Sequence, residues 1–298
     1  MKGIILAGGS GTRLYPLTKV VSKQLQPVYD KPMIYYPLSI LMLGGIRDIL
    51  IITNPGDLDS FVTLLGNGSQ FGINIQYKTQ ESPNGLPEAF IIGEDFIAND
   101  DVTLILGDNL FYGDIRFFRN AVKAQLEKTD TFTGRVFAYY VADPSLYGVV
   151  EFDKSTGKVK TIEEKPVNPK SNYAIPGLYI FDSSVSKRAK ALRPSNRGET
   201  EIVELIKSYL NDGQLGVEMI TRGVAWLDTG SPRSLLEASE FIGAIEARQG
   251  LKVACLEEVA LRMSFISRDD LLKNIEGIPN SEYKQYLKKL SSIADYIL

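Results

Sequence analysis

Apolar residues in this chain fall into two spacings that trade places along its length. Short apolar runs with the pattern of buried strands occur at Ile4-Ile5-Leu6, at Asp48–Thr53 (DILIIT), at 73–78 and at Val102–Leu106 (VTLIL). Between them lie segments of helical length: 33–43, closed by Gly44 and Gly45, then Leu58–Leu65, closed by Gly66, and 88–96. Strand alternating with helix predicts an α/β fold, a Rossmann-like and mostly parallel sheet flanked by helices on both faces. Ligands on such sheets bind outside the carboxyl ends of the strands. The glycines after Leu6, and Gln80 and Asp108, all fall at that end.

From Thr133 the texture changes. Short strands are predicted at 137–141, 149–152, 159–162 and 177–181, a helix at 200–210, strand-like segments at 217–220 and 225–227, and a long helix at 231–248. The weaker alternation points to a sheet that is mixed in this part. The last stretch reads as helices at 256–265, 269–275 and 281–298, with Gly277, Pro279 and Asn280 punctuating the last two. The expected division is a main α/β domain over 1–249 and a helical C-terminal extension over 250–298. The apolar faces of the extension must cover something, either that main body or another subunit. No internal repeat or low-complexity segment is visible.

Composition narrows the function classes. The 298 residues are 44% hydrophobic and 23% charged, ordinary for a globular chain with a substantial core. A net charge of −3 argues against a dedicated nucleic-acid binder, though local Lys and Arg suffice for a nucleotide. No apolar run approaches the roughly 18 residues of a membrane helix. A single cysteine, Cys255, excludes an intrachain disulfide and fits a cytoplasmic setting. The chain has no histidine. Its chemistry must therefore use Lys, Arg, carboxylates, backbone amides or a hard metal, an inventory that suits phosphoryl transfer.

The stretch Gly3 to Arg13 reads GIILAGGSGTR. Gly8, Gly9 and Gly11 follow a strand, where glycine lets the backbone turn tightly and present N–H groups to a ligand. Thr12 and Arg13 add a hydroxyl and a fixed positive charge, so the segment looks like a phosphate cradle with a cation built in. It is neither of two familiar cradles. The dinucleotide fingerprint fails at Leu14, and no Gly-Lys-Ser/Thr follows at P-loop spacing. Asp108, straight after a buried strand in LILGDNLFYG, is well placed to hold Mg²⁺, or equally to cap a turn.

The residues after the loop, LYPLTKVVSKQLQPVYDKPMIYYP over 14–37, complete a pattern that resembles the signature of the sugar-phosphate nucleotidylyltransferases. SKQL followed by PVYDKPMIYYPL is most similar to the members that use dTTP and glucose 1-phosphate. Relatives that use UTP typically carry proline before the lysine, where this chain has Ser22.

The resemblance, which extends over most of the first 250 residues, implies transfer of a thymidylyl group from dTTP to α-D-glucose 1-phosphate. The products are dTDP-glucose and pyrophosphate, an early step in supplying deoxysugars such as dTDP-rhamnose, in a homotetramer. It implies catalytic roles for Arg13, Lys23 and Asp108, with Mg²⁺ held by Asp108 and Asp228. Nucleotide contacts would come from Leu6, Gly8, Gly9, Gly11, Thr12, Arg13, Gln24, Gln80 and Gly85. Gln80 would read a thymine or uracil edge through its amide. Sugar-phosphate contacts would come from Asn109, Tyr147, Gly148, Glu164, Lys165, Ile175 and Arg197. Three departures stand out: Pro87-Glu88 where Ala-Gln is common, Val203-Glu204 where Thr-Asp is common, and Pro176 where threonine is frequent. The other readings are a UTP-using or dual-specificity enzyme and a nucleotide-sugar sensor that binds without turnover.

Overall fold

A computed structural model describes residues 1–9, 11–153, 155–195 and 198–292. Strand β1 (Lys2–Ala7) runs into the glycine loop, followed by a small hairpin of β2 (Pro27–Val28) and β3 (Lys31–Pro32). Then come α1 (Tyr35–Leu43), β4 (Asp48–Thr53), α2 (Leu58–Leu65), β5 (Asn74–Thr79), α3 (Glu88–Ile92), α4 (Glu94–Ile97) and β6 (Val102–Leu106). The middle of the chain holds β7 (Asn109–Tyr112), α5 (Arg116–Glu127), β8 (Gly134–Tyr140), β9 (Gly148–Phe152), β10 (Val159–Glu164), β11 (Tyr173–Ile175) and β12 (Leu178–Phe181). Helices α6 (Val185–Lys190) and α7 (Ile202–Asn211), strands β13 (Leu215–Met219) and β14 (Ala225–Asp228) and helix α8 (Pro232–Gln249) complete the body. The tail forms α9 (Leu256–Arg262), α10 (Arg268–Glu276) and α11 (Glu282–Ser292).

Ten strands make one sheet, ordered β10-β9-β11-β8-β12-β6-β1-β4-β5, with β13 also paired to β8. The four strands at one end are parallel, and Ile4 in β1 lies opposite Leu50 in β4 and Leu104 in β6. Strand β12 enters antiparallel between β6 and β8, so the sheet is mixed where the sequence pattern loses its regularity. Each face carries its own core. One face packs α1 and the tail helices through Ile40, Leu41, Leu256, Val259 and Leu271. The other packs α3, α6 and α7 through Phe90, Val185, Ile206 and Tyr209.

Two differences from the sequence reading stand out, and one question it left open is answered. The segment 88–96 is two short helices joined at Gly93. A Cβ at Gly93 would lie 2.9 Å from both the Ala89 carbonyl and Ile4 Cδ1, so the chain breaks where it presses on the sheet. Helix α5 is absent from the expectations although its buried residues, Phe118, Ala121, Val122 and Gln125, recur at helical spacing. The tail covers the sheet body of the same chain: Leu256, Ile275, Leu287 and Leu290 share one core with Leu38 and Leu41 of α1. The end of the helix predicted over 281–298 falls outside the described residues.

Candidate active site

Four loops leave the carboxyl ends of the parallel strands: 8–14 after β1, the residues after Thr53 of β4, those after Thr79 of β5, and 107–108 after β6. The ribbon of β7 and β14 brings a fifth segment to them. Its register sets Asp228 opposite Asn109, so Asp228 abuts Asp108 although the two lie far apart in sequence. Thr229, fully buried, ties the two ends together by donating its hydroxyl hydrogen to the Asp108 carbonyl at 3.0 Å.

Asp108 is engaged on both oxygens. Lys23, only 8% exposed, forms an ion pair with Oδ2, and the Asn109 amide donates to Oδ1 at 3.0 Å. Burial and then the neighbouring Asp108 raise the carboxyl of Asp228 above its ordinary range, against the pull of Lys23 and Arg13. Two carboxylates and two cations thus meet at the end of β6. Arg13 lies against Gly230, where a Cβ would come 2.8 Å from its guanidinium. A side chain at that position would push the arginine's flexible end aside.

Two cavities open from this point. One, of about 240 Å³, is lined by Gly8, Gly9, Gly11, Thr12, Arg13, Lys23, Gln24 and Asp108, together with Leu14 and Gly230. Gly11 is left-handed, with φ of 55°, and Asn54 braces the loop through both its amide ends, to the N–H and the carbonyl of Gly9. Gln24 accepts from the Ser22 hydroxyl at 2.8 Å and packs on Gly107.

The second cavity, of about 170 Å³, has Asp108, Asn109, Asp228, Glu164 and Lys165 as polar wall and Tyr147, Gly148, Ile175, Leu86, Val203 and Trp226 among its other lining groups. Arg13 and Asp108 line both cavities, so the two meet at those residues. The Trp226 ring lies 4.9 Å from that of Tyr147, and its N–H donates to Asn109 Oδ1 at 2.7 Å. That oxygen also accepts from the Gly177 N–H, so Asn109 serves the site's geometry through three bonds.

Most of the residues singled out from sequence therefore line one connected space. Leu6, Gln80 and Gly85 line neither cavity. The Leu6 side chain is in the core and its carbonyl accepts from Gly107 N–H; Gln80 lies beside Gly8; Gly85 sits at the turn before α3. Gly85 has φ of 108°, and a Cβ there would fall 2.0 Å from the Thr200 carbonyl, so the position admits only glycine. Arg197 lies outside the described residues. Of the departures, Val203 forms part of the second cavity's wall, while Glu204 turns away to pair with Lys207. Trp226, Asn54 and Thr229 went unnoticed in the sequence. Trp226 had a signal, being the chain's only tryptophan two residues before Asp228; Asn54 and Thr229 had none.

The sequence model of the family described as nucleotidyl transferase matches residues 2–244. A glucose-1-phosphate thymidylyltransferase of Mycolicibacterium smegmatis is 55% identical over 291 residues, covering 97% of this chain and 99% of that protein. The enzyme of the same name from Neisseria meningitidis is 55% identical over 290 residues, at 97% and 99% coverage. A Bacillus anthracis crystal structure in complex with sucrose superposes with a TM-score of 0.74 at 41% identity, over 81% of this chain and 94% of that one. A UDP-glucose pyrophosphorylase holding UDP-glucose shares the fold, with a TM-score of 0.71 at 22% identity, over 83% of this chain and 99% of that one.

Proposed function

The chain belongs to the nucleotidyl transferase family, and on that premise we propose that it transfers a thymidylyl group from dTTP to α-D-glucose 1-phosphate. The observation that carries this reading is the meeting of two cavities at Arg13 and Asp108. The glycine loop, Lys23 and Gln24 line the side that suits a nucleoside triphosphate. Glu164, Lys165 and Tyr147 line the side that suits a sugar phosphate.

A phosphate oxygen of the sugar phosphate attacks the α-phosphorus of dTTP in line. The new P–O bond forms as the bond to the bridging oxygen breaks, and pyrophosphate leaves with its electron pair. The attacking oxygen is already ionised at neutral pH, so a chain without histidine needs no general base. Arg13 neutralises the triphosphate and the departing pyrophosphate, and the loop N–H groups hold its oxygens. Lys23 holds charge at the reacting phosphorus. Glu164 accepts hydroxyl hydrogens of the sugar, and Lys165 pairs with its phosphate. Alignment of the two substrates supplies much of the acceleration.

Two hard oxygen donors, Asp108 and Asp228, fit Mg²⁺, which takes one or two carboxylates together with water and phosphate oxygens. Burial, and then the Asp108 charge beside it, disfavour the ionised form of Asp228, a cost that a bound cation would offset. Bound at that place, Mg²⁺ supplies charge neutralisation and a template for the phosphates. The same reading takes residues 1–249 as the catalytic unit, a homotetramer as the assembly and the cytoplasm as the setting. Among the described residues no helix is long and apolar enough to cross a membrane.

The test is pyrophosphate release from glucose 1-phosphate with dTTP, UTP, ATP, CTP and GTP side by side, each with Mg²⁺ or with EDTA. Turnover with dTTP that EDTA abolishes is the expected result. Silence with every nucleotide, in protein that still binds dTDP-glucose, would overturn it in favour of a sensor.

A further inference from the structure

Glu88 is the acidic residue that replaces the glutamine common in the family two positions after Leu86, and its surroundings give it a task. Its carboxylate accepts two side-chain hydrogen bonds on separate oxygens. Gln80 Nε2 donates to Oε2 at 2.5 Å, and Asn84 Nδ2 donates to Oε1 at 2.8 Å. The Glu88 N–H in turn reaches the Gly85 carbonyl at 3.3 Å. Pro87, just before it, has its backbone dihedral fixed by its ring.

The two ends of a glutamine amide differ only in which is donor and which acceptor, so a side chain free to turn over presents either. An ionised carboxylate accepts and cannot donate. Glu88 therefore admits one orientation of Gln80, with nitrogen toward Glu88 and oxygen away from it. That oxygen lies 3.1 Å from where a Cβ of Gly8 would stand, on the loop that lines the nucleotide-side cavity. Gln80 is only 7% exposed, so water does little to compensate a reversed amide. The loop is anchored from the far side as well. Thr200 donates both its N–H and its hydroxyl hydrogen to the Asn84 carbonyl at 2.9 Å, just ahead of α7.

We propose that Glu88 is a positioning residue for base selection: by holding the Gln80 carbonyl toward the glycine loop, it makes the site accept a pyrimidine with a ring N–H and reject one whose ring nitrogen is a bare acceptor. Thymine and uracil carry that N–H. Cytosine sets a lone pair against the Gln80 oxygen. The inference rests on the nucleotide side of the function proposed above, since it takes Gln80 as the reader of the base. It adds that the reader's polarity is imposed by a neighbour that touches no substrate.

Glu88→Met keeps the volume and helix propensity of the side chain while offering only a weak, uncharged acceptor. Glu88→Gln keeps one acceptor for two donors. Asn84→Ala leaves the Gln80–Glu88 bond in place. Calorimetric affinities for dTTP and dCTP are measured for each protein without sugar phosphate, with turnover measured separately. The wild-type chain is expected to favour dTTP over dCTP. Glu88→Met lowers that ratio by about tenfold, the worth of one hydrogen bond. Glu88→Gln falls between, and Asn84→Ala keeps the wild-type ratio. Equal losses for both nucleotides in Glu88→Met would mean that Glu88 only supports the loop, and would overturn the inference. A wild-type chain that binds neither nucleotide, or binds them alike, would overturn it too. If the ratio depends on Glu88 but no turnover appears with glucose 1-phosphate, the inference stands and the transferase reading falls.

Discussion

Asp108 is central to the site's electrostatics, since Lys23, Asn109 and Asp228 all feel its charge. Asp108→Asn keeps the shape and removes the charge. Turnover at saturating Mg²⁺ should fall by at least about a hundredfold, the scale of losing one electrostatic contact to a reacting phosphate, with thermal stability little changed. Near-normal turnover would sink the metal assignment. Gly85→Ala tests a steric role. With φ of 108° and the Thr200 carbonyl in the way, the alanine must displace the loop. The KM for the nucleotide should rise while kcat for the bound substrates changes less, and a KM unchanged from wild type would remove Gly85 from the nucleotide side. At this scale the sequence spoke through residue types with unusual duties: a glycine run, a carboxylate after a buried strand, a lysine inside a motif. It was silent on Asn54 and Thr229, whose roles lie in bonds to the Gly9 and Asp108 backbones.

Helix α8, the β2–β3 hairpin and the start of the tail meet in a buried charge cluster. Lys31, 3% exposed, pairs with Glu246 at 2.8 Å and with Asp30; Lys252 pairs with the same two acids, and Glu246 also accepts from the Val253 N–H. Lys31→Met removes one partner and leaves Glu246 buried with less compensation. Such a change costs on the order of 3–5 kcal/mol, and chemical denaturation should record it; a loss below about 1 kcal/mol would show that solvent reaches the cluster. Burial works to raise the carboxyl of Asp30, but its bonds to Lys252 and Lys31 prevail and hold it below its ordinary 3.8. A lowered folded-state value means that Asp30 stabilises the fold above pH 3.8 and that this contribution is lost as pH falls further. Amides of α9 and α10 should lose exchange protection below about pH 4 in wild type, and Asp30→Asn should show the looser tail already at neutral pH. The alternation of strand and helix was plain where apolar runs were dense. Helix α5 was missed although its own apolar residues, Phe118, Ala121 and Val122, recur at helical spacing and form its buried stripe.

The whole molecule is a mixed sheet with a separate core on each face, and the tail is one wall of the first core. Among the apolar residues of that core, Leu256, Val259, Leu271, Ile275 and Leu287 all come from beyond residue 249. A chain stopped at Gln249 would expose the α1 face they cover. Exposed patches of that kind drive association, so the truncated chain should aggregate or melt well below the full chain in light scattering and thermal scans. Full solubility and an unchanged melting temperature would mean that α1 needs no cover. The family's reach over residues 2–244 does not by itself settle where the stable unit ends.

Apolar spacing predicted the α/β layering and the end of the sheet where ligands are expected, and the family resemblance carried by the motifs over 3–37 named most of the residues that line the two cavities. These are local signals: a buried strand needs a short apolar run, and a backbone that must approach phosphate needs glycine. What only the tertiary structure decided are the contacts between distant segments. The tail's seat on α1, the clamp of Thr229 and the hold of Glu88 on Gln80 each depend on how strands pair and helices cross. No window of sequence encodes them, because each partner's pattern is satisfied by many neighbours and only the closed fold chooses one.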